Sequence, residues 1–202
     1  MKTIGIYSGS FNPIHVGHVR LADYICSSGI VDEVWLMVSP LNPLKQGEPM
    51  ESDSHRLAMA EIAIDGNPHV RVSDFEFNLP RPNYTYNTLL QLHRSYPDLK
   101  FVLIIGSDNW QIITKWRNWE EIISEFGLVI YPRPGYEIDT TNLPDNVKYI
   151  ASAPLTDISS TQIRNMIAAL HNQIPQSQSN PDTEAMLHSG VLSYIENNSL
   201  YK

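Results

Sequence analysis

The chain has 202 residues, 42% of them apolar and 18% charged, with a formal net charge of −8 and a pI near 5.3. That length can bury a core. It reads as one domain spanning 1–202, with a helical C-terminal part over about 159–202. The acidic balance argues against nucleic acid as the main partner, because a groove that follows a phosphate backbone is normally basic.

Met1-Lys2-Thr3-Ile4-Gly5 leads straight into a core strand, with no leader-like stretch and no apolar run of membrane-spanning length. A cytoplasmic protein with no membrane partner is expected. Association is left open, a homo-oligomer included. Cys26 is the single cysteine and cannot form an internal disulfide. Its place on the apolar side of the first helix reads as a buried thiol rather than a nucleophile.

The first strand, Lys2–Ser8, runs into Gly9-Ser-Phe-Asn-Pro-Ile-His-Val-Gly-His18. Strand, glycine turn and helix start together form an anion site: N–H groups converge and the helix dipole adds positive potential. Gly9 is expected to take a positive φ or to let a ligand lie on bare backbone. His15 and His18 are three apart, so both rings can face one side of the first helical turn. Neither G-x-G-x-x-G nor the Gly-Lys-Ser/Thr of a P-loop is present. An alternative is a metal pair, which would need a third ligand.

Further along, Val34–Val38 is a second strand, followed by a proline-rich loop through Pro49. A helix starts near Ser54, with Leu57, Ala60 and Ile64 spaced for burial. Val70–Ser73 reads as a strand, Phe75–Pro82 as extended or irregular, and Asn83 as the cap of a helix ending at Ser95. Phe101–Ile105 is a continuous apolar run, as in a parallel strand covered on both faces. It ends in Gly106-Ser107-Asp108, at the carboxyl edge where open α/β sheets bind ligands. Helix Trp119–Phe126, strand Leu128–Tyr131, the turn Arg133-Pro-Gly-Tyr136 and a last strand, Val147–Ile150, follow. In Ile158-Ser-Ser-Thr-Gln-Ile-Arg164, Ser159 and Gln162 have capping-box spacing before an apolar helix stripe. Hydroxyls, free N–H groups and Arg164 make this a second anion cradle, or simply a well-capped helix. A polar break over Gln173–Asp182 precedes a closing helix containing Val191, Tyr194 and Ile195.

This alternation predicts an α/β fold, a doubly wound parallel sheet with a small C-terminal helical extension. The two cradles can share a pocket only if both open at the strands' carboxyl edge.

The first segment resembles the G-x-F-x-P-x-H-x-G-H signature of the nucleotidyltransferases, and Ile158–Arg164 resembles their second signature. Between them, Asn83-Tyr-Thr-Tyr-Asn-Thr-Leu89, Ile104-Ile-Gly-Ser-Asp108, Lys115-Trp-Arg-Asn-Trp119 and Arg133-Pro-Gly-Tyr136 resemble the bacterial nicotinate-nucleotide adenylyltransferases. Val191-Leu-Ser-Tyr-Ile195 and Leu200-Tyr-Lys202 resemble that family's C-terminus. The resemblance implies a Rossmann-like nucleotidyltransferase fold and adenylyl transfer from ATP to nicotinate mononucleotide in NAD biosynthesis, with Mg²⁺ carried on the ATP. Two positions depart from the pattern: Asn87 stands where many members have an acid, and Leu44 stands where many have histidine. The second departure shifts phosphate contact onto Lys45.

Such a reaction needs no triad, because the acceptor phosphate is already an anionic nucleophile. Alignment and charge stabilisation suffice. By resemblance, His18, His15 and Arg164 are the catalytic candidates, with His18 stabilising the transition state. Gly9, Ser10, Phe11, Gly106, Asp108, Ser160 and Thr161 complete the ATP site, although Asp108 could instead cap the next segment. Trp116 would stack on the pyridine ring. Thr85, Tyr86 and Arg117 would sit near the carboxylate, with Lys45 on the acceptor phosphate. Other readings are a pantetheine-phosphate or CTP-dependent transferase, or a non-catalytic regulator that kept the fold.

Overall fold

The computed structural model describes residues 1–40, 50–173 and 185–202. Strands and helices alternate in the order β1 (Lys2–Gly9), α1 (Val16–Ser27), β2 (Glu33–Val38), α2 (Asp53–Ala63), β3 (Val70–Ser73), α3 (Thr85–Ser95) and β4 (Leu99–Gly106). Two short helices follow, α4 (Ser107–Trp110) and α5 (Trp119–Glu121), then β5 (Leu128–Tyr131), β6 (Val147–Tyr149), α6 (Ser160–Gln173) and α7 (Ser189–Asn197). The described residues form one six-stranded sheet in the order β3-β2-β1-β4-β5-β6. Every pairing in it is parallel.

Side chains on successive residues leave a strand on opposite faces, and here both faces are covered. Val34, Leu36 and Val38 of β2 join Val102 and Ile104 of β4 in a core under α1, α2 and α7. Trp35, Met37, Phe101, Leu103 and Ile105 fill the opposite core, under α3 and Ile122–Phe126. Full burial of one such aliphatic side chain contributes about 1.5–3 kcal/mol, so the two cores hold the layers together.

Three local expectations are corrected. The helix expected over Trp119–Phe126 changes winding, since Ile122–Phe126 is a π-helical turn. Phe75–Asn78 is a 3₁₀ helix rather than extended chain. Tyr84, not Asn83, is the N-cap of α3, and the Asn83 amide Nδ2 donates instead to the Glu76 carbonyl at 2.8 Å. Of the polar break, only Gln173 lies within the described residues. Among these residues, no helix is long and apolar enough to cross a membrane.

The strand order reverses between β1 and β4, the neighbours at the centre of the sheet. At that switch point the flanking helices lie on opposite faces, and the carboxyl ends of the two strands open a crevice. Gly9 ends β1 there and Gly106 ends β4.

Candidate active site

A cleft of about 720 Å³ opens over those two glycines. From the first segment it is lined by Gly9, Ser10, Phe11, His15 and His18; from the late helix start, by Ser159, Ser160, Thr161 and Arg164. The two cradles therefore share one pocket and are tied together directly. Ser160 Oγ donates to the Pro13 carbonyl at 2.8 Å, and Arg164 donates to the Asn12 carbonyl at 2.8 Å. Ser159 Oγ accepts the Gln162 N–H at 3.1 Å, the cap that the serine spacing predicted.

In the turn itself, the left-handed residue is Phe11, with φ 45°, and not Gly9. Of the two alternatives for Gly9, the positive φ is corrected accordingly. Bare backbone at Gly9 admits the Phe11 ring, whose nearest atoms would lie 3.0 Å from an added Cβ. Phe11 in turn meets the His18 ring edge-on, with centroids 5.1 Å apart. His15 stacks on His18 at 3.7 Å. His18 Nδ1 accepts the His15 backbone N–H at 3.2 Å, and an imidazole that accepts through Nδ1 carries its proton on Nε2. Burial, with the Arg133 charge added, lowers the His15 pKa to about 4. His15 therefore acts near neutral pH as an uncharged hydrogen-bonding group. Its buried Nδ1 has no partner among the described residues.

Gly17, inside the same motif, lies against Thr156 of the segment before α6. A Cβ there would stand 2.6 Å from Thr156 Oγ1 and 3.0 Å from His15 Nδ1.

Across the switch point, Gly106 and Asp108 line the cleft. Asp108 pairs with Arg133 at 3.5 Å, so it faces a cation rather than capping its own helix. The Asp108 and Arg133 side chains fill the space that a side chain on Gly106 would occupy. Arg133 donates to Tyr131 Oη at 3.1 Å, and its backbone N–H donates to Ser107 Oγ at 2.9 Å. Burial alone would lower its pKa; Tyr131 and Asp108 outweigh this and raise it, which fixes the charge in the cleft. The sequence pointed to Arg133 as a turn residue and as part of a family-like motif, without a site role. Its position just beyond the carboxyl end of β5, next to central β4, was a further signal.

Thr85, Lys115, Trp116 and Arg117 also line the cleft. Arg117 lies 5.0 Å over the Tyr84 ring. Trp116 is half-buried, and its indole Nε1 is buried without a partner among the described residues. Tyr86 is a correction: its hydroxyl donates to Glu125 at 3.2 Å and its ring meets Phe126, so the side chain turns away from the cleft. Its N–H is one of the first-turn donors of α3 that take no partner within the helix. Lys45 and Leu44 lie outside the described residues. Cys26 is half-buried, and burial raises its thiol to about 11, which leaves it unreactive near neutral pH.

Two further residues escaped the sequence reading. Arg56 is fully buried and donates to the carbonyls of Ser10, Ser39 (2.9 Å) and Glu51 (3.1 Å), with Asp53 as its carboxylate partner. It sits in register with Met59 and Ala60 on the buried face of α2, where a charged residue is itself a signal. Glu76 is buried on the cleft wall and accepts from Thr88 at 2.8 Å. Burial raises its pKa, against hydrogen bonds from Ser39 and Thr88 that lower it.

Comparison with known proteins places this geometry. Residues 6–166 match the cytidylyltransferase-like family model. A probable nicotinate-nucleotide adenylyltransferase of Bacteroides fragilis is 51% identical over 164 residues, covering 81% of each chain. The corresponding protein of Bacteroides thetaiotaomicron is 46% identical over 195 residues, covering 96% of this chain and 91% of the relative. Among solved structures, the Plasmodium falciparum nicotinic acid mononucleotide adenylyltransferase complexed with NaAD shares the fold. It aligns with a TM-score of 0.80 at 23% identity, covering 100% of this chain and 98% of that one. By the extent and identity of these matches, the chain belongs to the nicotinate-nucleotide adenylyltransferases, within the cytidylyltransferase-like family.

Proposed function

We propose that the protein transfers the adenylyl group of ATP to nicotinate mononucleotide, forming nicotinate adenine dinucleotide and pyrophosphate. The observation that carries this is the shared cleft: two anion-binding helix starts, bonded to each other at one end, face a tryptophan and a helix N-terminus at the other. A phosphate oxygen of the acceptor forms a bond to the α-phosphorus as the bond from that phosphorus to its bridging oxygen breaks. Pyrophosphate leaves with the electron pair. The protein's task is to hold the two phosphates in line and offset the charge that moves.

In this reading, His18 donates from Nε2 to the transferring phosphoryl group, and neutral His15 adds a second contact beside it. Thr161 and Arg164 hold the β and γ phosphates. Ser160 spends its proton on Pro13 and contributes chiefly by fixing the loop. Arg133, absent from the sequence expectation, is a further cation for a phosphate. Gly106 and Asp108 flank the nucleotide, Asp108 toward its ribose. Trp116 stacks on the pyridine ring. The carboxylate meets the N–H groups of Thr85 and Tyr86 at the start of α3, with Arg117 nearby.

Among the described residues, no three His, Cys, Asp or Glu side chains stand close enough to hold a metal ion. Of the three cleft carboxyls, Asp108 faces Arg133, Glu76 is buried with its pKa raised, and Asp157 is exposed. This donor set fits a Mg²⁺ that arrives on the triphosphate and keeps its waters. Such an ion would neutralise charge gathering on pyrophosphate.

Incubation with ATP, Mg²⁺ and each pyridine mononucleotide, following pyrophosphate release, tests the reading. Release with nicotinate mononucleotide, and much less with the amide, is expected. Turnover only with CTP or with a pantetheine phosphate would overturn it.

A further inference from the structure

Beyond α7 the chain passes twice through the left-handed region, at Ser199 (φ 56°) and Tyr201 (φ 61°). Bulky side chains rarely adopt that conformation, and it persists where surrounding contacts over-determine it. Here the contacts are specific. Leu200, between the two, is buried in the core under α1, α2 and α7, and its N–H reaches the Ile195 carbonyl at 3.0 Å. Tyr201 then donates twice, from its N–H to Glu51 Oε1 at 3.3 Å and from its hydroxyl to Asn12 Oδ1 at 2.9 Å. Glu51 closes the ring by donating its own N–H to the same Oδ1 at 3.2 Å.

Asn12 links this ring to the chemistry. It is 4% exposed, stands between left-handed Phe11 and Pro13, and precedes His15 by three residues. Its carbonyl takes the Arg164 guanidinium at 2.8 Å. Backbone displaced at Asn12 therefore displaces the start of α1 and the late helix start together. Burial, reinforced by Glu51, raises the Tyr201 phenol above its ordinary range, so its O–H remains a donor across neutral pH. Tyr201 itself is outside the cleft lining.

We propose that Tyr201 is a positioning residue for adenylyl transfer: its hydroxyl fixes the Asn12 side chain and, through that residue, the placement of His15 and His18. The proposal rests on the adenylyl-transfer reading above. Phosphates bound in the ground state can follow a loop that shifts slightly. In-line transfer cannot, because small misplacement of reacting groups is paid in rate. The effect therefore falls on kcat rather than on KM.

The test is Tyr201→Phe, which keeps the ring and removes one hydroxyl, alongside Asn12→Ala and the double variant. Steady-state kinetics are measured for both substrates, with thermal unfolding in parallel. Tyr201→Phe is expected to lower kcat about tenfold, with both KM values held within about twofold and the protein fully folded at the assay temperature. In the Asn12→Ala background the same change is expected to add nothing. Unchanged kcat, or an equal loss in both backgrounds, overturns the proposal. So does a Tyr201→Phe protein that fails to fold, or whose lost rate only follows its folded fraction, because the phenol is then a structural support. Wild-type turnover in the same assay separates the two readings. Without it, the adenylyl-transfer reading fails and the proposal falls with it; with it and an unaffected Tyr201→Phe, only the positioning role is lost.

Discussion

The two ends of the cleft are built on opposite principles. At the donor end, carbonyls of Ser10, Asn12, Pro13 and Ser39 are each taken by a side chain from a distant part of the chain: Arg56, Arg164 or Ser160. At the acceptor end, more polar capacity is left over than the single His15 Nδ1 of the donor end. Among the described residues, Trp116 Nε1 and Asn83 Oδ1 are buried with no partner, and the exposed Arg117 rests its charge on the Tyr84 ring. A buried polar atom without a partner costs about 1–3 kcal/mol, a cost a bound group can remove. On the proposed function this is a division of labour: geometry would be fixed where bonds break, and more hydrogen-bonding capacity held open where one acceptor must be told from another.

Removing the centre of the rigid end tests the contrast most severely. Arg56→Ala leaves three backbone carbonyls and the Asp53 carboxylate without their buried donor. Asp53 keeps Arg81, but each buried carbonyl left unsatisfied typically costs about 1–3 kcal/mol of folding stability. Urea unfolding measures it, and a loss below about 1 kcal/mol would show that the donor end is not held from beneath.

His18→Ala comes next. The fold should survive while kcat drops on the order of a hundredfold to a thousandfold, as with a lost oxyanion donor. Near-normal turnover by a folded variant would remove His18 from the transition state.

His15 gives the donor end a pH signature. Its folded pKa, about 4, is below the ordinary 6.5, so the unfolded chain binds the proton more readily between those values. Stability from this group is complete above pH 6.5 and is lost as pH falls through the window, by about 3 kcal/mol in all. Unfolding free energies of wild type and His15→Asn, followed from pH 7 to 4, should converge by that amount. Parallel curves would contradict the burial argument.

The acceptor end should respond more gently and more selectively. Trp116→Ala is expected to cost about 1–3 kcal/mol in kcat/KM for the acid and amide mononucleotides alike, since stacking does not distinguish them. Arg117→Ala should narrow the gap between them by less than about tenfold, because its charge is exposed and screened. Measuring both substrates on both variants decides it: a Trp116→Ala protein that loses only the acid would put discrimination in the ring rather than in the donors.

The sheet was legible because strands covered on both faces leave a plain signal. Val70–Ser73 and Leu128–Tyr131 were read to the residue, and the apolar run before Gly106 marked the central strand. The sequence set the shared cleft as a condition, that both helix starts open at the strands' carboxyl edge, and the two segments do line one cleft. Side-chain direction did not follow. On α3, Thr88, Leu89 and Leu92 are buried, and Tyr86, three residues before Leu89, is drawn toward the same packing side and onto Phe126. Phe11 took the left-handed position because its ring has a bare backbone to rest on, a tertiary reason invisible in local propensity. Arg56 was hidden by its type: spacing placed it among apolar residues, and only the carbonyls it serves explain why a cation belongs there.

Gly17 carries a consequence of its own. The segment before α6 approaches α1 until Thr156 Oγ1 stands 2.6 Å from where a methyl carbon at residue 17 would lie. The spacing between the two phosphate-binding segments is thus gauged by a missing carbon. Alanine at 17 would act as a shim, pressing on Thr156 from one side and on the His15 ring from the other. A wedge of that size opens the jaw at its hinge, so a displacement too small to disturb either core would be felt across the cleft, where two phosphates must meet in line.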